Sequence, residues 1–339
     1  MNLSDFILKR AVMSVIVLAG LSVVIFVVAR IVPGDPARLA LGSTASETAL
    51  ETFRTENHLL EPLPVQYAYW IGGVLQGNFG LSTGTKRPVA KDILEFLPAT
   101  LEMALLAALM LIVFSIAIGA LAARRRNSFI DGAVRVLSYI GIALPGFVVA
   151  TLLLLLFGSL WPVIPVLGRL SPGLTPPQAI TGFYTIDSLI RLNLPLFWNA
   201  FLHLLVPAAA LCLGGLCQEA RLVRSAMIEN SGRDFLTAMR GYGVPERVLA
   251  GKYLLKPSLI PAVSCMGMDV AALMSNAFLI EVIFDWPGIS RYGMTAMLAK
   301  DLNAISGVIL IFGAIFVIVN IIVDIVVAWL DPRIRLGGA

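Results

Sequence analysis

Residues 218–258 read QEARLVRSAMIENSGRDFLTAMRGYGVPERVLAGKYLLKPS and lie between two long apolar runs. Seven basic residues (Arg221, Arg224, Arg233, Arg240, Arg247, Lys252, Lys256) stand here against four acids. A loop this basic between apolar spans belongs on the cytoplasmic side of a membrane. Phe235, Leu236 and Met239 are spaced for one helical face, with Asp234 and Arg240 pointing elsewhere. A short helix with an apolar ridge and charged flanks is what a membrane subunit needs to dock on a soluble partner.

Composition sets the class. Of 339 residues, 58% are apolar and 14% charged, against about 45–50% apolar in a soluble domain. The expected fold is an all-α membrane protein with six transmembrane helices, each about 20 residues. The candidate spans lie near 11–31, 98–123, 134–160, 200–218, 259–283 and 305–330. Pro207 and the Gly214-Gly215 pair interrupt the fourth, as neighbouring helices or water can tolerate. The first has too long an apolar core for a signal peptide and reads as a retained anchor, 1–31.

Charge sets the orientation. With both termini cytoplasmic, the inside segments collect Lys9, Arg10, Arg124-Arg125-Arg126, Arg135, the seven residues above, Arg333 and Arg335. The short outside loops hold Arg169, Arg191, Arg291 and Lys300. The net charge of +4 needs no nucleic-acid partner, because the basic residues sit where topology requires them.

The connection 32–97 forms an extracytoplasmic segment, and 98–339 a five-helix core carrying the 218–258 loop. Pro33-Gly34-Asp35-Pro36 turns the chain out of the first span. Helices are expected over 46–57, capped by Ser46, and over 64–75, rich in aromatic residues. Cys212, Cys217 and Cys265 have no metal or redox spacing and read as packing residues; His58 and His203 stand far apart. No metal site is expected from this chain. It has no P-loop, nucleophile elbow or His-Glu-x-x-His, so transport is favoured over membrane enzymology.

Ionisable residues inside spans need a partner or a cavity. Asp269 and Asn276, two turns apart, share a face of the fifth span, either as a wall of a translocation path or as an interhelical hydrogen-bonding pair. Asn320 and Asp324 share a face of the sixth and read as packing residues. Glu102 and Glu281 lie near the outer ends of their spans, within reach of interfacial water.

Residues 281–291, EVIFDWPGISR, resemble a signature of the peptide/nickel-type ABC importer permeases, specifically the subunit with a Pro-Gly-Asp-Pro exit from its first span. Further matches follow in order: Pro64-Val65-Gln66-Tyr67, residues 77–82 GNFGLS, Leu97-Pro98-Ala99-Thr100, and Asn320 with Asp324 before residues 331–335, DPRIR. The resemblance covers nearly the whole chain. It implies the type I ABC importer architecture in a bacterial inner membrane, with a second homologous permease, two ATP-binding subunits and an extracytoplasmic substrate-binding protein as partners. ATP and Mg would be bound by those partner ATPases, with no cofactor in this chain.

The resemblance also implies a coupling helix that seats on the ATPase. Its matching residues are Arg221, Arg224, Asp234, Phe235, Arg240 and Gly243, closed by Pro261, and Met239 is assigned to the same ATPase-coupling surface. Met239, Gly241 and Tyr242 replace the more usual Ala, Ala and Lys; Asp269 and Asn276 replace Gln and Gly. Dipeptides, oligopeptides, nickel chelates, opines and glycans are all carried by proteins of this type. The alternative, a stand-alone secondary transporter or channel, would need inverted repeats and charged relays that the sequence lacks.

Overall fold

The computed structural model describes residues 3–31, 36–42 and 45–330, nearly all of them helical or in short connections. The Pro33-Gly34-Asp35 turn and the 331–335 close expected from the sequence lie outside these residues. The chain opens with α1 (Leu3–Ile31), a short α2 (Pro36–Leu41), α3 (Glu47–Glu56) and α4 (Leu63–Leu75). Ser46 caps α3 by accepting from the Ala49 amide, as its position predicts. The aromatic face of α4 lies on α1: Tyr67 Oη is 2.8 Å from Ser22 Oγ, and Tyr67 and Trp70 flank the Phe26 ring.

The long helix α5 (Val89–Arg124) starts well before residue 98 and runs through Pro98. Next come α6 (Phe129–Ala143) and α7 (Gly146–Leu155), which closes in a π turn, Leu156–Leu160. These two do not form one straight span over 134–160. They bend by 108°, because Pro145 has no N–H to continue the ladder and holds Leu144 extended, at φ −83°, ψ 127°.

An irregular stretch carries α8 (Tyr184–Ile190) and leads into α9 (Leu194–Ser231). The interruptions at Pro207 and Gly214-Gly215 are tolerated: α9 is one unbroken helix, with Pro207 buried. Packing on α5, α6, α7, α8 and α12 (Leu255–Ile283) explains this, since a helix surrounded by helices can absorb one missing hydrogen bond. Between α9 and α12 lie α10 (Asp234–Gly241), α11 (Glu246–Val248) and a π turn, Leu249–Leu254. The chain closes with α13 (Ile289–Leu298) and α14 (Leu302–Leu330).

Among the described residues five helices, α1, α5, α9, α12 with its preceding turns, and α14, are long and apolar enough to cross a membrane; the bent α6–α7 pair makes up to six. Small residues stand at the closest helix contacts. A Cβ on Gly119 would stand 2.6 Å from the Ala220 carbonyl oxygen, and one on Gly267 2.1 Å from Val323 Cγ1. These glycines let α5 approach α9, and α12 approach α14. Arg10 and Asp324 join α1 to α14, Nε to Oδ2 at 2.8 Å, which gives Asp324 its expected packing role. Asn320 donates to the Phe316 carbonyl of its own helix.

Candidate coupling surface and membrane cavity

The 218–258 stretch divides into two parts. Residues 218–231 continue α9, so Arg221 and Arg224 stand on a spanning helix and not in a loop. Arg224 grips Asp131 of α6 through Nε and Nη2, the latter at 2.9 Å from Oδ2; Asp131 has no exposed surface. Arg221 lies over the Tyr139 ring, 5.8 Å from its centroid. Both cations therefore tie α9 to α6. Asn230 donates to Ser258 at 3.0 Å and ties the same end of α9 to α12.

The remainder holds α10. Asp234 opens it and Arg240 closes it, each sign favourable to the helix dipole. Arg240 also pairs with Glu246 at 2.7 Å. Gly243 ends the helix at φ +78°, with Gly243 N donating to the Arg240 carbonyl and Val244 N to that of Met239. This is the Schellman arrangement, and Pro245 follows it. The single apolar ridge expected of Phe235, Leu236 and Met239 is divided. Leu236 is buried, Met239 half-buried and Phe235 40% exposed. Adjacent helical residues point about 100° apart, so Phe235 and Leu236 cannot both face inward. Leu236 is the one turned in, where α10 packs on the Leu249–Leu254 turn. Tyr242, 88% exposed, adds apolar surface at the end of α10. Pro261 lies within α12, inside a spanning helix and not at the close of the connection.

Within the bundle a cavity of ≈ 420 Å³ opens at the α6–α7 bend. Gly214 and Gly215 of α9, Phe147 of α7, and Ser275 and Asn276 of α12 are among its walls. Asp269 does not line it. Asn276 borders the cavity with Gly214 and Gly215, whereas Asp269 lies beside Gly215, where an added Cβ would stand 3.1 Å from Oδ2. There Asp269 meets Glu219, a fully buried side chain neither of whose oxygens has a donor among the described residues. Sequence reasoning missed Glu219 because it was assigned to a solvated loop. Its spacing of one turn from Gly215 on an apolar helix was the available signal.

Opposite the α10 end, two buried networks hold the bundle. Glu281 accepts from the Thr100 hydroxyl and from Arg291 N at 2.7 Å, and Thr100 Oγ1 accepts from Ile289 N at 2.8 Å. Trp286 Nε1 donates to the Ala99 carbonyl at 2.9 Å. A Cβ at Gly288 would lie 2.2 Å from Glu281 Oε1, so only glycine fits. The second network joins Glu102 to Arg169 at 2.5 Å and to Thr185 N at 2.8 Å, with Arg169 Cζ 3.4 Å above the Tyr184 ring. Glu102 and Glu281 are thus buried and not at interfacial water, because residues 161–190 and 285–291 fold back over them. Nearby, buried Asp187 accepts three amide N–H bonds, from Ile180, Thr181 and Gly182, and the Thr181 hydroxyl. Burial works against its charge, but these donors together hold its carboxyl below the usual carboxylate value.

Comparison with known proteins covers this whole framework. Residues 115–336 match the family described as binding-protein-dependent transport system inner membrane component, and residues 3–104 match the corresponding N-terminal family. The chain is 37% identical over 324 residues to the probable D,D-dipeptide transport system permease protein DdpB of Escherichia coli K12, covering 96% of this chain and 95% of that protein. It is 31% identical to the dipeptide transport system permease protein DppB of Alkalihalophilus pseudofirmus, over 97% of this chain and 99% of that protein. Identity to the Escherichia coli K12 DppB is 30%, over 98% of each.

Proposed function

Because this chain belongs to the family of binding-protein-dependent transport system inner membrane components, we propose that it is a permease half of an ATP-driven importer of di- or oligopeptides. The family is one of multi-pass inner-membrane permeases in which ATP hydrolysis lies in partner subunits and substrate arrives on a binding protein. The observation that carries the peptide reading is similarity along more than nine-tenths of the chain to proteins named for dipeptide transport.

In this reading the working complex contains a second homologous permease, two ATPases and an extracytoplasmic binding protein. Both termini and α10 face the cytoplasm, 32–97 lies outside, and 98–339 forms the core. The α10 helix seats on the ATPase through Phe235 and Met239, with Asp234 and Arg240 at its edges and Gly243 as its stop. Arg221 and Arg224 carry its displacement into α6. Asn276 lines the path at the α6–α7 cavity, and Asp269 lies behind that wall with Glu219. ATP can drive this cycle only by favouring one orientation over the other through different contacts in each.

Reconstituted vesicles test the proposal. The full complex takes up radiolabelled dialanine only with ATP and the binding protein, and tagged chain retains both ATPases on purification. Uptake of dialanine by this chain alone would replace the reading with a stand-alone transporter. ATP-dependent uptake of a nickel chelate but not of dialanine would keep the complex and reassign its cargo.

A further inference from the structure

Where α1 ends and α14 begins, a cleft of ≈ 320 Å³ opens beneath α3 and α4. Its walls include two cations, Arg30 in the last turn of α1 and Lys300 just before α14, and the acid Glu56. Arg30 is the unexplained residue. Among the described residues its Nε is buried with no acceptor and no carboxylate pairs with it; its Cζ lies 5.2 Å from the centroid of the Phe26 ring. A buried guanidinium nitrogen without an acceptor carries a desolvation cost that a bound anion would offset.

The surroundings specify which anion. Tyr69 and Trp70 also line the cleft, and such rings settle at the membrane–water boundary. The two spans that reach it are the least covered of the bundle, with 17% of the apolar window buried on α1 and 6% on α14. Val24 and Val28 of α1 and Phe316 and Ile318 of α14 are exposed along these spans. A polar mouth with two cations above apolar lanes matches a phospholipid.

We propose that this cleft binds the phosphate of a phospholipid head group on Arg30 and Lys300, with the acyl chains along α1 and α14. Glu56 receives the ammonium of an ethanolamine head group. The bound lipid would fasten the first helix and its α3–α4 cap to the last helix, a role separate from coupling or cargo passage.

The complex is reconstituted in nanodiscs of phosphatidylethanolamine and phosphatidylglycerol, released into detergent, and its retained lipids counted by native mass spectrometry. The Lys300→Glu variant changes an exposed residue outside the helices, so it tests the site without burdening the fold. Its occupancy should fall roughly tenfold, and Arg30→Gln should abolish retention while Arg30→Lys keeps it. Unchanged lipid counts in Lys300→Glu would overturn the proposal even if the Arg30 variants fail to assemble. Displacement of the lipid by millimolar inorganic phosphate, with phosphate bound equally well in its absence, would overturn the lipid and leave a free-anion site.

Discussion

Arg224 of α9 forks onto Asp131 of α6, with Nη2 2.9 Å from Oδ2, and the carboxylate it grips is wholly enclosed. Asn127 N also donates to that carboxylate, at 3.1 Å, so one acid fixes both the start of α6 and its attachment to α9. Removing the cation leaves a buried charge without compensation. Arg224→Ala should destabilise the complex by about 3 kcal/mol, read as a lower melting temperature, with Arg224→Lys intermediate because it loses the fork.

Phe235 and Leu236 are neighbours in different surroundings, one exposed and the other buried. Phe235→Asp should release the ATPases on purification while leaving the permease melting temperature unchanged, because its side chain is outside the fold. Leu236→Asp should lower the melting temperature itself, since it puts a charge at a buried position. Equal ATPase retention in wild type and Phe235→Asp would remove α10 as the coupling surface.

Gly288 offers a steric test. Its added methyl would collide with Glu281 and Thr100, so Gly288→Ala should cost about 1–3 kcal/mol. Thermal unfolding checks this, with Gly84→Ala, whose Cβ would stand 3.7 Å from its nearest neighbour, as the tolerated control.

Asn276 is a wall of the central cavity, so filling that space should obstruct cargo without disturbing assembly. Asn276→Trp is expected to lower vesicle uptake of dialanine at least tenfold with ATPase retention intact. Asp269→Asn tests a different property, since Asp269 faces Glu219 and not the cavity; its effect should appear in stability before transport.

Acid should loosen the 180–190 segment through Asp187. Its folded carboxyl titrates below the unfolded value, so the stability it contributes is complete above about pH 4 and lost as pH falls through its folded value. Hydrogen exchange at Ile180, Thr181 and Gly182, corrected for intrinsic rates, should accelerate over that acid range. In Asp187→Asn the amides should exchange faster at neutral pH and show no such acid step.

Hydropathy and charge made the spans readable, because a bilayer imposes a length and an apolar composition on every crossing. Local chemistry was equally plain at Ser46 and Gly243, where a cap and a left-handed stop act within a few residues. What lay hidden were the consequences of packing. Pro207 sits inside a continuous helix while Pro145 bends the chain, and neither outcome follows from the proline alone. Glu102 and Glu281 looked solvated because the segments that cover them come from distant parts of the chain. Glu219 stayed unnoticed because the helix holding it was expected to end just before it. At the α10 surface, composition located the element, but only the three-dimensional packing separated the inward Leu236 from the outward Phe235.

The kink at Pro145 has a mechanical corollary. Leu144 N still donates to the Ile140 carbonyl below it, and Val148 N and Val149 N donate to the Pro145 carbonyl above it. Rotation about the Leu144 ψ angle therefore swings one rod against the other while every backbone bond in each stays closed. A segment hinged in this manner can change tilt at the expense of side-chain contacts alone, and it borders the cavity walled by α7, α9 and α12.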